Sequence, residues 1–293
     1  MERIRTYLPY ILLVAVIFAT FFIWRQVYMR EHRSYILTVA FLDIGQGDAI
    51  FIQAPNGAQM LIDSGPDTKV LSRLAQIMPW GDRSINLVLA THTDADHIGG
   101  FPYVLDHYKV GGIIENGATN TSHIYTDLEL KVKEAHIPKT IARKDMRIVL
   151  DKEDRIYFDI LFPDRDVTDL ESNEGSIVGR LSYGNESFML TGDAPLYTEN
   201  IIMHEHPVPV LHSTVLKLGH HGSKYSSSVP WLKAVAPETA VVSAGVGNRY
   251  GHPNEETLSR LEQLSIPYVA TLGKGTIIFT TDGKTIHEKQ IKK

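Results

Sequence analysis

The sequence predicts a mixed α/β (α+β) domain in which two β-sheets pack together and helices cover their outer faces. Short segments that are apolar, or that alternate between apolar and polar residues, recur along the chain as strands do. Segments with helical spacing are interspersed among them, and both halves of the chain show this mixture of strand-like and helix-like segments. Strands and helices mixed in this way favour two packed sheets with helices outside.

The first half of the chain opens with an apolar strand segment that is punctuated by Gly45 and Gly47. The residues Pro55–Gly57 give a hairpin signal between the second and third strands. We expect strands over residues 35–43, 48–54, 59–63, 85–90 and 110–115. We expect helices over residues 68–78, 98–108 and 125–135.

The second half continues the same pattern, with Gly184 and Asn185 as the turn between two strands. Asn254 is a suitable N-cap for the last helix. We expect strands over residues 155–162, 176–183, 187–191, 214–218, 239–243, 268–272, 276–280 and 285–288. We expect helices over residues 195–203, 229–235 and 254–264.

The N-terminal region differs from the rest because residues 10–24 carry no charge. With their neighbours they reach about 20 residues, the length of a spanning helix, and aromatic residues stand near both ends. A signal peptide and a core helix are the alternatives, but no small-residue cleavage site follows and arginines flank the run on both sides. We expect residues 1–33 to form a short tail, a single transmembrane anchor and a linker. Residues 34–293 would then form a separate domain on the extracytoplasmic side of the membrane.

Composition narrows the classes of function. The chain of 293 residues is 43% hydrophobic and 22% charged, which is typical of a globular protein with a sizeable core. Its net charge of −5 excludes an overall basic field that would attract nucleic acid, although a local basic patch stays open. The chain has no cysteine, so a metal site must use histidine and carboxylate ligands.

The densest cluster of chemical groups follows the apolar strand segment at residues 85–90. It contains His92, Asp94, Asp96 and His97. Imidazole and carboxylate groups at one strand end converge on a metal ion, because the loop turns them inward from a fixed anchor. The alternative is a solvated acidic loop, which the density of the cluster and its position after a buried strand disfavour. The segment therefore predicts metal binding.

Two further segments place candidate ligands after strands, where the loops of a sheet gather into a site. Asp193 follows the strand over 187–191, and its alternative role is to cap the next helix. His220 and His221 follow the strand over 214–218. Adjacent histidines point in different directions, so one would bind metal while the other meets substrate; a buried, hydrogen-bonded pair is the alternative.

Other polar residues lie close to these ligands in the sequence. Ser223 and Lys224 follow the histidine pair, and Lys224 is alternatively a solvated surface residue. A glycine-containing segment after residue 243 carries Asn248, Tyr250 and His252, and glycine there allows the backbone to approach a ligand closely. An ordinary loop is the alternative. We expect these five residues to hold a phosphate or to protonate a leaving oxygen.

The motifs HTDADH, TGD and HHGS, in this order, resemble those of the metallo-β-lactamase superfamily. More narrowly, FLDIGQGDA, LIDSGP, HTDADHIGG, LTGD, LKLGHHGS and the N-x-Y-G-H-P of residues 248–253 resemble the C-terminal hydrolase domain of ComEC-type competence proteins, which act in DNA uptake. The resemblance covers about residues 36–282. It implies an αββα four-layer sandwich with a dinuclear metal site at one edge of the two sheets.

The resemblance also implies which residues would hold two divalent metal ions, Zn²⁺ or Mn²⁺. Two ligand pairs come from one motif: His92 with Asp94 for the first ion, and Asp96 with His97 for the second. Asp193 would bridge the two ions.

The resemblance leaves open whether His220 or His221 completes the second metal site. This chain departs from the broad superfamily in two ways: Asp94 stands where a histidine is usual, and a third-motif histidine is missing, with Asn173 as the nearest substitute. Both changes are typical of the ComEC-like branch. They make the first site richer in oxygen ligands, which suits Mn²⁺ as well as Zn²⁺.

The remaining roles are assigned by the same resemblance and by the chemistry of the side chains. We expect Asp63 to orient a metal ligand, and Asp43 and Asp48 to be structural or to support ligands. The expected catalytic residues are Asp96, His221, His252 and Lys224. The expected substrate-binding residues are Ser223, Asn248 and Tyr250.

Two close cations activate a water as a nucleophile and stabilise the oxyanion that forms. With the resemblance, this chemistry predicts a membrane-anchored phosphodiesterase or nuclease that uses a metal-bound hydroxide. Its partners would be a phosphodiester such as DNA, the membrane through the N-terminal helix, and a separate channel protein. The alternatives are a hydrolase of a small envelope phosphodiester and a domain that binds a partner without turnover.

Overall fold

The computed structural model describes the backbone of residues 2–31 and 35–291, and in the first helix the side chains of residues 7, 10 and 12–25. The chain divides into two compact units, Met1–Tyr35 and Ile36–Lys293. The helices are α1 Glu2–Glu31, α2 Lys69–Ile77, α3 Ala95–Ile98, α4 Phe101–His107, α5 His123–Glu134, α6 Leu196–Glu205, α7 Val208–Leu211, α8 Val229–Val235 and α9 Glu255–Gln263.

The first unit consists of α1, whose described apolar side chains are exposed; Phe18, for example, is 70% exposed. Within the described part of the chain, no helix has both the length and the apolar character needed to cross a membrane. This finding gives the expected anchor no support. Several of its residues, 1 and 32–33 among them, lie outside the described part of the chain.

The second unit contains the strands and the remaining helices. The strands are β1 Leu37–Phe41, β2 Ile50–Gln53, β3 Gln59–Ile62, β4 Ser84–Ile85, β5 Leu87–Ala90, β6 Lys109–Val110, β7 Ile113–Glu115, β8 Lys139–Ile141, β9 Arg147–Asp151, β10 Ile156–Phe162, β11 Val178–Tyr183, β12 Glu186–Leu190, β13 Val215–Lys217, β14 Thr239–Val242, β15 Tyr268–Ala270, β16 Thr276–Thr281 and β17 Ile286–Ile291.

Two large sheets are formed by the described strands. One has eight strands in the order β17-β16-β1-β2-β3-β5-β7-β8, the other has seven in the order β15-β14-β13-β12-β11-β10-β9, and β4 pairs with β6 apart from both. The strands from β3 to β8 in the first sheet run parallel, as do those from β12 to β15 in the second. The carboxyl ends of parallel strands meet at one edge of a sheet, where ligands bind in open α/β sheets.

The main core lies between the two sheets. Phe279 of β16 contacts Phe41 of β1 and Phe188 of β12 edge-on, each with ring centroids 5.9 Å apart. Full burial of each such ring contributes about 1.5–3 kcal/mol to folding. Two further apolar clusters lie between the sheets and the helices, one with α2, α4 and α5 and the other with α6, α8 and α9. The order of layers is therefore helix, sheet, sheet, helix, as the sequence predicts.

Four of the helices and strands were not expected from the sequence: α3, β8, β9 and α7. All three residues of β8 are exposed, so the strand has none of the alternation that reveals a half-buried strand. The helix expected over residues 98–108 is observed as α4, which follows α3 after Gly99 and Gly100. The loop after β3 passes close to both glycines, since a Cβ at Gly100 would lie 2.3 Å from the Ser64 carbonyl oxygen.

Candidate metal centre

Five of the predicted site segments meet at the carboxyl ends of adjacent strands. Asp63 follows β3, the HTDADH motif follows β5, Asp193 follows β12 and His221 follows β13. Asp48 comes from the loop between β1 and β2, whose backbone touches the motif because the Asp48 amide donates a hydrogen bond to the Asp96 carbonyl oxygen. Loops from both sheets thus build one site.

The HTDADH motif turns from β5 directly into the short helix α3, with Asp94 at the N-cap position. The rings of His92 and His97 are both buried, and their centroids are 4.1 Å apart. The side chains of Asp94 and Asp96 are 40% and 31% exposed, so the two carboxylates line the mouth of the site.

The two adjacent histidines are separated by an unusual backbone. His220 and His221 have φ of 47° and 56°, in the left-handed region that non-glycine residues adopt at a cost of about 1–3 kcal/mol each. This backbone places the two rings 5.9 Å apart at an interplanar angle of 76°. His221 is 1% exposed, whereas the side chain of His220 is 30% exposed. The two imidazoles therefore occupy different environments.

The centre of the site is the carboxylate of Asp193. Its Oδ1 lies 3.2 Å from Nε2 of His97, and its Oδ2 lies 3.4 Å from Nε2 of His221. Oδ2 of Asp96 is also 3.4 Å from Nε2 of His221. Among the described residues, Asp48, His97, Asp193 and His221 offer ligand atoms that all lie within 4.8 Å of one another.

The site fits a divalent cation, because several of its buried polar atoms have no hydrogen-bond partner among the described residues. These atoms are Nε2 of His97, Nε2 of His221, Oδ1 of Asp193 and Nε2 of His92. Buried polar atoms are satisfied in the great majority of cases, so a group of such atoms facing one point requires an explanation. Imidazole nitrogen and carboxylate oxygen are the ligands that Zn²⁺ and Mn²⁺ accept.

A second, looser set of groups lies beside this centre. Nε2 of His92 is 3.6 Å from Oδ2 of Asp94, and Nε2 of His220 is 3.7 Å from Oδ2 of Asp193. Asn173, the substitute for the missing histidine, lies with its Nδ2 3.5 Å from Nδ1 of His220. The structure therefore brings all seven predicted metal ligands to one place, with one compact set and one more open set.

Carboxylates hold the two buried imidazoles from behind. Asp63 Oδ2 lies 2.7 Å from Nδ1 of His97, and the same carboxylate accepts hydrogen bonds from the backbone and hydroxyl of Thr91 at 2.8 Å. Asp48 Oδ1 lies 3.5 Å from Nδ1 of His221. Asp63 thus has the orienting geometry that the sequence analysis expects of it, and Asp48 approaches the centre from the same rear side.

The electrostatics of the centre favour positive charge. Burial alone lowers the pKa of the His221 imidazole, but the charges of Asp193 and Asp48 outweigh it and raise the pKa to about 9. Burial likewise lowers the pKa of His97, which Asp193 and Asp63 raise well above its usual value. Burial raises the pKa of Asp96, but His221 and His97 together hold it well below its usual range. A cation that binds here displaces protons from the imidazoles, so metal affinity rises with pH.

The residues expected to meet substrate divide into two groups. The ring of His252 lies 5.3 Å from that of His220, and the ring of Tyr250 stacks on His252 at 5.8 Å. The amide of Asn248 is used within its own loop, since Nδ2 donates to the His252 carbonyl oxygen and Oδ1 accepts from the His252 backbone. Asn248 therefore positions His252, and it also lines a groove beside the centre together with Asp96 and Tyr250.

Ser223 and Lys224 are not brought to the centre. The Ser223 hydroxyl accepts a hydrogen bond from the Tyr225 backbone within a tight turn. The ammonium group of Lys224 lies over the Tyr225 ring, 5.1 Å from its centroid. For the part of the chain described, no contact joins either side chain to the metal ligands, so their predicted roles receive no geometric support.

Sequence reasoning missed one residue of the centre. Lys217, the last residue of β13, is 0% exposed, and its ammonium group forms a close ion pair with Oδ2 of Asp48. Its Nζ also donates a hydrogen bond of 3.1 Å to the Gly192 carbonyl oxygen. The available signal was a lysine inside an apolar strand next to the histidine pair, because a fully buried lysine needs a partner.

Residues 42–246 match the model of the metallo-beta-lactamase superfamily, and the chain belongs to that superfamily. It is 30% identical to ComE operon protein 3 of Bacillus subtilis over 262 residues, which cover 82% of this chain and 32% of that protein. It is also 30% identical to Competence protein ComA of Neisseria gonorrhoeae over 246 residues, covering 82% of this chain and 32% of that protein. The chain thus spans about a third of the length of these relatives.

One solved structure shares the fold of this chain over nearly all of the solved protein's own length. It is Igni18, a metallo hydrolase from the archaeon Ignicoccus hospitalis, with a TM-score of 0.53 at 17% identity, covering 83% of this chain and 98% of that one. Family, fold and candidate metal site together define the class: a metal-dependent hydrolase of metallo-β-lactamase fold, related to competence proteins.

Proposed function

We propose that this chain is a metal-dependent phosphodiesterase that cleaves a nucleic-acid strand. The observation that carries the proposal is a groove of about 510 Å³ that opens onto Asp96. A phosphodiester held with its phosphorus atom at the metal centre extends its neighbouring nucleotide into this groove. The groove offers the charge and the flat apolar surface that a nucleotide requires.

The groove has cations at its rim and apolar surface within. Its lining includes Lys69, Arg249 and the ring of Tyr250, together with Ile44 and Pro66. Arg249 lies over the Tyr250 ring at 4.8 Å from the centroid. Cationic side chains follow a phosphate backbone, and each base that stacks on an aromatic ring contributes about 1–3 kcal/mol. These two cations share the groove with Asp96, and Lys69 lies 3.7 Å from Oδ2 of Asp67, while the net charge of −5 gives no general attraction for nucleic acid.

A continuous line of rings connects the groove with the metal centre. Tyr250 stacks on His252, whose ring centroid is 5.3 Å from that of His220 and 6.4 Å from that of His221. Burial and the charges of His220 and His221 lower the pKa of His252 to about 4. His252 is therefore neutral near pH 7, and its buried Nδ1 has no hydrogen-bond partner among the described residues.

The residues of the metal centre would have different roles in hydrolysis. The chemistry that a divalent cation supplies at this site is Lewis acidity towards water and neutralisation of the charge that builds on the phosphoryl oxygens. His97, His221, Asp193 and Asp96 would hold the cation, while Asp63 and Asp48 keep the two rings in place. His252 would orient the leaving oxygen, and the buried walls behind the centre keep bulk water away.

The proposal is tested with the full chain, stripped of metal and reloaded with Mn²⁺ or Zn²⁺. The substrates are bis-p-nitrophenyl phosphate and single-stranded DNA, and the control carries Asp96→Ala and His97→Ala. Metal-dependent cleavage of both substrates that the control lacks is the expected result. Failure to cleave either substrate while metal is bound would refute the phosphodiesterase.

Two other functions are outcomes of the same test. Cleavage of bis-p-nitrophenyl phosphate without any cleavage of DNA would indicate a small phosphodiester of the cell envelope as substrate. Metal binding without cleavage would indicate a domain that binds a partner without turnover. The cationic rim at Lys69 and Arg249 favours the nucleic acid over both.

We also propose that α1 anchors the hydrolase domain to a membrane, with the domain on the extracytoplasmic side and a separate channel protein as its neighbour. The exposed apolar side chains of residues 12–24 support this proposal, because a large exposed apolar surface is typical of sites that contact a membrane or another protein. Carbonate extraction of membranes and protease digestion of intact cells test attachment and side. Release by carbonate, or protection of the domain from protease in intact cells, would refute the corresponding part.

A further inference from the structure

The metal centre contains a completely buried lysine, which the proposed chemistry does not use. Lysine is almost never fully buried without a partner, because removing an unpaired ammonium group from water is very costly. Lys217 is 0% exposed and contacts Asp48 Oδ2 and the Gly192 carbonyl oxygen. Its Nζ lies 3.8 Å from Oδ1 of Asp193. The ammonium group is therefore fixed directly behind the centre.

The lysine reaches the metal ligands through Asp48. One carboxylate oxygen of Asp48 pairs with Lys217, and the other lies 3.5 Å from Nδ1 of His221. On the opposite side of the ring, Nε2 of His221 faces Asp193 at 3.4 Å. A carboxylate at one ring nitrogen fixes the tautomer and the orientation of the ring, and so presents the other nitrogen to a metal.

The second buried imidazole shows what the lysine adds. His97 also has a carboxylate at Nδ1, that of Asp63 at 2.7 Å, and its Nε2 faces Asp193 at 3.2 Å. Asp63 is held by neutral donors, the backbone N–H and hydroxyl of Thr91. The carboxylate behind His221 is held by a cation instead, and it lies 3.5 Å from Nδ1 of His221, farther than Asp63 lies from Nδ1 of His97.

The charge of the lysine also decides how Asp48 is used. Asp48 is buried and within reach of both rings, with Oδ2 only 4.0 Å from Nδ1 of His97. Without a counter-ion its buried charge would be uncompensated, and the carboxylate would no longer be held at Nδ1 of His221. The ion pair neutralises Asp48 and turns it towards the rear of the site, where only the Nδ1 atoms of the rings meet it.

We infer that Lys217 is a positioning residue of the metal centre: its ion pair with Asp48 holds that carboxylate against Nδ1 of His221. The inference rests on the metal centre of the proposed function and is independent of the substrate. Lys217 raises metal affinity only through Asp48 and makes no contact with the ion.

The experiment measures Zn²⁺ and Mn²⁺ affinity of the full chain by competition with a chromophoric chelator. The variants are Lys217→Met, Asp48→Asn and the double variant, and Lys144→Met is the matched control because Lys144 pairs with Glu205 at 2.9 Å elsewhere in the fold. Loss of a group that supports a ligand costs about 10–100-fold in affinity. We expect that loss in Lys217→Met, a similar loss in Asp48→Asn, and no further loss in the double variant.

A spectroscopic reading separates positioning from general damage to the fold. In the Zn²⁺-loaded wild-type chain and in Lys144→Met, the ¹⁵N signals of His221 should show a protonated, slowly exchanging Nδ1. In Lys217→Met this proton should exchange faster, while the far-ultraviolet circular dichroism stays unchanged.

Two results would overturn the inference. One is wild-type metal affinity in Lys217→Met; the other is losses that add in the double variant, which would mean that Lys217 acts without Asp48. If Lys217→Met does not fold, the comparison of Asp48→Asn with the double variant decides, because the inference allows no further loss between them. All readings are of metal binding, so a failure to cleave phosphodiesters leaves the outcome intact.

Discussion

Asp63 Oδ2 lies 2.7 Å from Nδ1 of His97, behind a ring whose other nitrogen faces the centre of the site. Asp48 and His221 repeat this relationship at 3.5 Å from the other side. Both imidazoles are thus held from the rear by carboxylates that come from the ends of strands or from loops of a rigid sheet. The ligands are fixed in place by the fold, which is the arrangement that high metal affinity requires.

The first prediction concerns Asp63. Asp63→Asn keeps the shape of the side chain but replaces a charged acceptor behind His97 with a weaker, neutral one. We expect Zn²⁺ affinity to fall by about tenfold or more. Asp82→Asn, which changes a carboxylate remote from the centre, is the control. Equal affinities in the two variants, measured by chelator competition, would contradict the orienting role.

The second prediction distinguishes the adjacent histidines. His221→Ala removes a buried nitrogen 3.4 Å from both Asp96 and Asp193, so we expect loss of the compact metal site. His220→Ala removes a partly exposed ring 3.7 Å from Asp193, and we expect it to retain at least one bound ion. Metal content after dialysis, measured by mass spectrometry, checks this. The reverse order of losses would assign the ligand to His220.

The third prediction compares two glycines. A Cβ at Gly47 would lie 2.1 Å from the Asp96 carbonyl oxygen, in a residue with φ of +118°. We expect Gly47→Ala to destabilise the fold by at least about 3 kcal/mol, because backbone atoms must move and the left-handed strain is added. Gly57 has φ of +88° with no atom within 4 Å, so Gly57→Ala should cost only about 1–2 kcal/mol. Urea unfolding of both variants gives the comparison, and equal costs would contradict the close approach of the two loops.

The fourth prediction concerns the groove. Lys69→Ala and Arg249→Ala each remove a cation from its rim, so KM for single-stranded DNA should rise on the order of tenfold. The salt dependence of binding should weaken by about 0.7 in the logarithmic slope for each lost phosphate contact. The kinetics with bis-p-nitrophenyl phosphate should not change, because that substrate does not extend into the groove.

Lys144→Ala is the matched control for the groove variants, since Lys144 pairs with Glu205 outside the groove lining. An equal effect of Lys144→Ala on DNA cleavage would place the nucleic acid elsewhere. Equal effects of the groove variants on both substrates would mean that they disturb the metal centre itself.

The fifth prediction concerns the dependence of stability on pH. Burial raises the pKa of Glu115 from 4.5 to about 7, although the Lys139 ammonium, 2.6 Å away, lowers it. A carboxyl with a raised folded-state pKa stabilises the fold fully below pH 4.5, and this contribution is lost as the pH rises through 7. Glu115→Gln is neutral throughout. Relative to wild type, its free energy of unfolding should therefore increase between these pH values, by up to about 3 kcal/mol.

Denaturant unfolding at a series of pH values measures this difference. Glu129→Gln removes the other carboxylate partner of Lys139 and controls for the loss of an ion pair. A difference between Glu115→Gln and wild type that stays constant from pH 4.5 to 7 would contradict the prediction.

Much of the fold was predictable because its strands are half or fully buried and are separated by turn residues. The hairpin at Pro55–Gly57, the helix α8 and the four-layer order all follow from local patterns. The strand β8 did not follow, because its residues are all exposed and its pairing with β7 is the only feature that makes it a strand. A short polar strand that is defined by its pairing with a distant segment shows no periodic pattern of apolar residues, so its sequence does not predict it.

Part of the metal site was also predictable from the sequence. His92, Asp94, Asp96 and His97 stand together in the sequence, so their convergence needed only one strand end. The hydrogen bonds of Asn248 within its own loop were not predictable, because only the folded backbone brings its amide to the carbonyl oxygen and N–H of His252.

The sequence by itself determined the fold class, the metal-binding motif and the kind of ligand, because these depend on local periodicity and on side chains that are neighbours in the chain. Only the tertiary structure decided that His221 is the more deeply buried of the pair, that Asp63 and Asp48 stand behind the rings, and that Lys217 is a buried cation. These relationships join residues from strands that are far apart in the sequence. Their energies depend on burial and on distances of a few ångströms, which the fold alone sets.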